Sequence, residues 1–251
     1  MKISRTQYLL ISAVIILVCS VAMSTTLTAF LVNADKALML SLTFREHTSF
    51  DMFWYYYTKL SCWIPLISIL LFTMWIWHPS DNRHRLLLMV SIVLLILVLD
   101  QTSSGLIKPF VERLRPSHDS TISESLNYVN GYRGGRYGFV SGHATNIVGI
   151  TTWLCHIFRS RIARAVFIIF AVTLCYSRIY LGVHFPGDII CGSILGYTLA
   201  RIAIALLSGR NILFTTDRTP WMVLAAYLLT VVSLLCINGY LLMTNTLLIL
   251  T

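Results

Sequence analysis

The chain has 251 residues, 57% of them hydrophobic and 12% charged, whereas soluble domains carry about 45–50% and about 25%, so an ordinary soluble fold is excluded. The formal net charge of +9 does not indicate a nucleic-acid partner, because the basic residues lie between long apolar runs and form no basic stripe. No internal repeat or low-complexity tract interrupts the pattern, and residues 1–251 read as one integral-membrane domain.

A helix of roughly 20 apolar residues crosses a hydrocarbon core of about 30 Å. By that measure seven spans are expected, near 8–32, 52–77, 86–107, 140–158, 162–182, 186–207 and 221–248. The first follows "MKISRTQYLL"; its apolar run is too long for a signal-peptide core and lacks a small-x-small exit, so it reads as an uncleaved anchor. Residues 33–50 are expected to form a short interfacial helix. The second span opens with "FDMFWYYYTKL", whose patch Phe53–Tyr57 reads as an interfacial aromatic belt or as the border of a lipid entry.

The third span contains Asp100, a costly residue inside a membrane. Its neighbours Gln101, Thr102, Ser103 and Ser104 can hydrogen-bond it, which gives it a supporting role. The last span is interrupted by Asn238, Gly239 and Asn245. Cys19, Cys62, Cys155, Cys175, Cys191 and Cys236 all fall inside spans without Cys-x-x-Cys spacing and read as small core residues.

Short loops rich in Arg belong on the cytoplasmic side. With the N-terminus inside, that side carries Lys2, Arg5, Arg83, Arg85, Arg159, Arg161, Arg164, Arg210 and Arg218. Loop 108–139 falls on the other side yet holds Lys108, Arg113, Arg115, Arg133 and Arg136. Its basic density needs a second cause. Arg113, Arg133 and Arg136 are divided between contact with lipid headgroups and a substrate role.

Three clusters meet on that face. "KPFVERLRP" carries Lys108 and Arg115, "SGH" opens the fourth span with Ser141, Gly142 and His143, and "SRIYLGVHFPGD" carries Arg178, His184 and Asp188. A phosphate ligand gives each residue type a use. Arg pairs phosphate oxygens bidentately and Lys adds a point charge, so Lys108, Arg115 and Arg178 can neutralise three oxygens. The start of the fourth span offers free N–H groups, and Gly142 permits close approach of the backbone.

Pro186 suits the first position of the sixth helix. Asp188 then falls near the third position, from which a carboxylate can reach back and hold one nitrogen of His184. His184 is thereby the better nucleophile and His143, at a donor-rich helix start, the better acid. His47, His78, His84, His118 and His156 receive no role.

Lys108-x6-Arg115-Pro116, Ser141-Gly142-His143 and Ser177-Arg178-x5-His184-x3-Asp188 resemble, in order and spacing, the three signature motifs of the type 2 phosphatidic acid phosphatase (PAP2) superfamily. The resemblance spans residues 108–188 and implies an all-α, polytopic membrane bundle with a six-helix core. It also implies a metal-independent lipid phosphatase, without cofactor, that forms a phosphohistidine. On that footing His184 is the nucleophile, Asp188 its orienting partner and His143 the acid, while Lys108, Arg115, Ser141, Gly142 and Arg178 bind phosphate. Val140 stands where the family usually has Pro, which bears on the turn and removes no functional group.

The expected substrates are undecaprenyl diphosphate, phosphatidylglycerophosphate, phosphatidic acid or a lipid A phosphate, reached from a bacterial inner membrane with the site facing the periplasm. An anion or lipid transporter using the same basic cluster without hydrolysis is the alternative. Transport calls for charge along the depth of several spans, whereas here it gathers at one face.

Overall fold

The computed structural model describes residues 25–43 and 48–250, with side chains over 28–43 and 48–244. Most of the expected first span, together with Cys19 and His47, lies outside the described residues. Among the described residues all extended regular structure is helical, with two isolated bridges, Leu114 with Tyr137 and Phe158 with Thr216.

Helix α1 (Thr25–Leu42) runs without a break through residue 33. The interfacial helix expected over 33–50 is therefore the continuation of the preceding helix, and it stops at Leu42. Helix α2 (Asp51–Tyr57) is separate from the second span: Thr58 and Lys59 break the chain, a 3-10 turn follows over Leu60–Trp63, and α3 (Ile64–Trp77) begins with Pro65 in its first turn. The break allows α2 to fold inward. Phe53 and Tyr57 are buried, and Tyr57 packs on Trp63 and Phe170, so the aromatic patch is core more than membrane belt.

Helix α4 (Asn82–Asp100), capped by Asp81, passes into a π-helical stretch over Gln101–Ile107 and then into α5 (Lys108–Val111). Helices α6 (Gly142–Ile157), α7 (Arg161–Tyr180), α8 (Pro186–Leu207) and α9 (Trp221–Leu250) complete the bundle. Among the described residues five stretches are long and apolar enough to cross a membrane: Leu60–Trp77, Asn82–Val111, Arg161–Tyr180, Pro186–Leu207 and Trp221–Thr244. The chain is an integral-membrane helical protein. The expected fourth span is α6, only 16 residues or about 24 Å long, and it packs on α4, α7 and α8 at the centre of the bundle.

Small residues make that centre possible. A Cβ at Gly196 would lie 2.2 Å from the Thr145 carbonyl oxygen, and one at Gly192 would lie 2.7 Å from that of Ser141. The two glycines are four apart on one face of α8, the spacing that lets membrane helices approach closely. This contact aligns the start of α6 with the start of α8, where two of the three motif clusters sit. The five cysteines among the described residues are free thiols.

Candidate active site

The site forms where α4, α6, α7 and α8 end on one face. The π-helical turn carries Ser103 and Ser104 past the start of α6. Extra residues in such a turn re-aim the side chains that follow, and Lys108 Nζ comes 3.5 Å from Ser104 Oγ, which is 3.5 Å from Asp100 Oδ1. A Cβ at Gly142 would meet Ser104 Oγ at 2.8 Å and Lys108 Nζ at 3.6 Å, so glycine keeps that space open.

The long loop is ordered by its own backbone. Arg115 N–H donates to Arg136 O at 3.0 Å and Gly138 N–H to Arg113 O at 2.8 Å, which holds the two sides of the loop together. Arg115 is buried. Its Nε donates to Tyr137 O, and its Nη1 donates to Val183 O at 3.0 Å and to His184 Nε2 at 2.9 Å. The Phe139–Val140 peptide bond is cis, and Val140 is buried.

Ser141 caps α6. Its Oγ accepts from Ala144 N–H at 3.4 Å, while its own N–H donates to Asp188 O at 3.1 Å. The first-turn donors left for a ligand are the N–H groups of Gly142 and His143. The side chain of His143 is exposed to the cavity described below.

Arg178, at the end of α7, is 1% exposed. It donates from Nη1 to Thr58 Oγ1 at 2.6 Å and from Nη2 to Tyr132 OH at 3.0 Å, while its Nε has no protein partner. His184 and Asp188 are also buried. Asp188 Oδ2 accepts from Phe185 N–H at 3.1 Å and lies 3.4 Å from His184 Nδ1. Because Arg is a donor only, the contact of Arg115 with Nε2 makes that nitrogen the acceptor and puts the ring proton on Nδ1, toward Asp188. Burial first, then the charges of Arg115, Arg178 and Lys108, holds the His184 imidazole well below its ordinary value. It is neutral at physiological pH.

Arg113 is engaged within the protein. Its Nη1 donates to Asp188 Oδ1 at 2.9 Å and its Nη2 to Asp35 Oδ2 at 2.7 Å, while its guanidinium lies over the Phe185 ring. Asp35 also accepts from Gly187 N–H at 2.7 Å. Asp188 is thus clamped on one oxygen by Arg113 and on the other by the loop that carries His184. Arg133 and Arg136 stack on Tyr128 and Tyr137 within their own loop.

Lys108, Arg115, Gly142, His143 and Arg178 line one end of a cavity of about 420 Å³. From there its wall becomes apolar, through Trp63, Leu66, Ile147, Ile150, Phe170 and Val223 between α3, α6, α7 and α9. Ser141, His184 and Asp188 lie behind the basic wall and are not exposed. The arrangement receives an anion at one end and hydrocarbon at the other. Asp35, Thr58, Tyr132 and Asn146 are additions that the sequence motifs did not contain; Asn146 lines the cavity one turn below His143 with its Oδ1 unpartnered.

A family model described as the PAP2 superfamily matches residues 85–212, a segment that contains every motif residue named above. The chain belongs to the PAP2 superfamily. The expectation of a phosphatase holds with that membership. This PAP2 chain is 34% identical over 195 residues to a lipid A 4'-phosphatase of Porphyromonas gingivalis, covering 77% of the chain and 78% of that protein. It is 34% identical over 171 residues to a lipid A 4'-phosphatase of Bacteroides thetaiotaomicron, covering 66% and 74%. Its fold is similar to the crystal structure of a transmembrane PAP2-type phosphatidylglycerolphosphate phosphatase from Bacillus subtilis, with a TM-score of 0.55 and 19% identity over 76% of this chain and 90% of that one. The all-helical membrane architecture is thus shared with solved relatives.

Proposed function

We propose that this PAP2 chain is a single-domain membrane lipid phosphatase of a bacterial inner membrane, that its site faces the periplasm, and that a phosphate of lipid A is its substrate. The observation that carries the lipid reading is that the cavity holding the motif residues has cations at one end and apolar wall along the rest. A phosphate docks at Lys108, Arg115 and Arg178 while the acyl chains stay among α3, α7 and α9. Choice of lipid A over undecaprenyl diphosphate, phosphatidylglycerophosphate and phosphatidic acid is supported by the 34% identity to two lipid A 4'-phosphatases. The orientation is supported by the arginines at the opposite end of the bundle, among them Arg83, Arg159 and Arg161.

In this reading the phosphate draws Arg115 Nη1 off His184 Nε2 and onto a phosphate oxygen. Arg178 Nε and the N–H groups of Gly142 and His143 take further oxygens, and the Ser141 hydroxyl hydrogen points to the same anion. The freed lone pair of His184 Nε2 attacks phosphorus, the Nε2–P bond forms, and the bond from phosphorus to the lipid oxygen breaks. His143 gives its proton to that oxygen. The Nδ1 proton stays with His184, and the Asp188 carboxylate stabilises the cationic ring. His143, now neutral, takes a proton from water as it attacks phosphorus; inorganic phosphate leaves and both histidines return to their starting states. The basic side chains supply the charge stabilisation of the transition state.

The test is phosphate release in detergent by wild type and His184→Ala against lipid A, undecaprenyl diphosphate, phosphatidylglycerophosphate and phosphatidic acid. Wild type is expected to hydrolyse lipid A fastest and His184→Ala none of them. Comparable turnover by His184→Ala would overturn the mechanism. Preference for another lipid in the panel would overturn the substrate.

A further inference from the structure

A second cavity lies away from the phosphate site. Helices α7 and α8 each pack on α6 but barely touch one another, and the gap between them is a groove of about 730 Å³ floored by α6, a size typical of small-ligand sites. Its walls are apolar along most of their length, including Val148, Ile168, Val172 and Ile189. At the end remote from the phosphate site it finishes in His156, Arg164 and Arg201.

These three groups are held near one another without a counter-charge. The charges that act on His156 are those of Arg159, Arg201 and Arg164. None of the three takes part in an ion pair among the described residues. Arg164 is fixed by donation from Nε to Cys155 O at 3.1 Å and Phe158 O at 3.3 Å, which leaves its two Nη groups for a ligand. Arg201 lies over the face of the Tyr197 ring.

Length agrees with charge. Ile189 and Arg201 both line the groove, and twelve residues of α8 separate them by about 18 Å. That is close to one leaflet, about half of a 30 Å core. A basic cluster at headgroup depth above an apolar furrow between spans is the arrangement that selects an anionic lipid.

We propose that this groove binds one anionic phospholipid of the leaflet opposite the phosphate site. Its phosphodiester sits on His156, Arg164 and Arg201, and one acyl chain lies on α6 between α7 and α8. The site does not depend on the substrate proposed above, since a phosphodiester headgroup is held and not cleaved. The lipid fills the gap between the two helices whose joined ends carry Arg178, His184 and Asp188.

The test is thermal unfolding of the purified full chain in a neutral detergent, titrated with phosphatidylglycerol and, separately, phosphatidylcholine. Binding to the folded state raises the midpoint, and phosphatidylglycerol is expected to raise it at concentrations where phosphatidylcholine does not. Arg201→Gln, an exposed position, should weaken the apparent affinity for phosphatidylglycerol about fivefold, the effect of one headgroup-facing charge. Val172→Trp, which obstructs the furrow and leaves the basic end intact, should weaken it as well. Lys108→Gln should leave the shift unchanged. Equal shifts with both lipids, or a full shift in both groove variants, would overturn the proposal. Loss of the shift in Lys108→Gln with retention in Arg201→Gln would place the lipid in the other cavity and overturn it too.

Discussion

The molecule has two basic clusters at opposite ends of α7 and α8, and they are built differently. At the phosphate end, Arg115 and Arg178 are buried and every bond they make is to a fixed acceptor: Tyr137 O, Val183 O and His184 for one, Thr58 and Tyr132 for the other. At the other end Arg201 is exposed, Arg164 is half-buried, and neither is paired with a carboxylate among the described residues. The first cluster pays its ordering cost on folding, so it meets an anion with its geometry already set. The second stays adaptable. Preorganised charge stabilises a transition state; loose charge at headgroup depth attracts a lipid.

Breaking the first cluster should cost far more than breaking the second. Arg178→Ala removes a proposed phosphate ligand and is expected to lower kcat/KM for phosphate release by on the order of 10³-fold; a loss of less than tenfold would show that Arg178 serves packing alone. Arg113 is paired with Asp188 and Asp35 and is not among the residues that line the cavity, so in the proposed mechanism it is a positioning residue that acts through Asp188. Arg113→Ala should lower kcat by on the order of 10²-fold, the effect of a misplaced reacting group, while KM changes little and Arg113→Lys recovers part of the loss. An equal effect of the Ala and Lys variants on KM alone would remove the positioning role.

The comparison is sharpened by pH. His184 must be neutral to attack, and its value is held below the ordinary 6.5 by burial first and then by Arg115. In the proposed mechanism the rate therefore falls as pH drops through that depressed value, and the acidic limb of kcat/KM should lie below the ordinary histidine value. Arg115→Gln removes one of the charges, so the limb should move upward, toward 6.5 without reaching it; a limb that stays put would exclude His184 as its source. The smallest effect is expected from Arg201→Ala in the second cluster, with phosphate release within about twofold of wild type in detergent.

Much of the first cluster was legible in the sequence because its residues sit at helix ends, where loop chemistry and apolar runs meet. Lys108, Ser141, Arg178 and Asp188 are all terminal or first-turn residues, and Pro186 marks the start of α8. Arg113 was not legible as a clamp. Its partners Asp35 and Asp188 are 78 and 75 residues away, and no local pattern reports a pairing that only the packing of α1 on α8 creates. Hydropathy showed the apolar runs but missed the interruption at Thr58 and Lys59, because an inward-folded aromatic helix and a spanning one have the same composition. The π-helical turn after Asp100 likewise leaves no mark on hydropathy. Gly192 and Gly196 carried a readable signal in their four-residue spacing, and they explain how the 16-residue α6 can sit at the centre of the bundle.

In the proposed mechanism His184 becomes covalently phosphorylated. Rapid quenching of wild type and His184→Ala with lipid A labelled in its phosphate, followed by acid and base treatment and peptide mapping, is the direct test. An acid-labile label is expected on the wild-type peptide containing His184 and is expected to be missing from His184→Ala. Turnover of the lipid with no label on the protein, or a label that persists in His184→Ala, would contradict it.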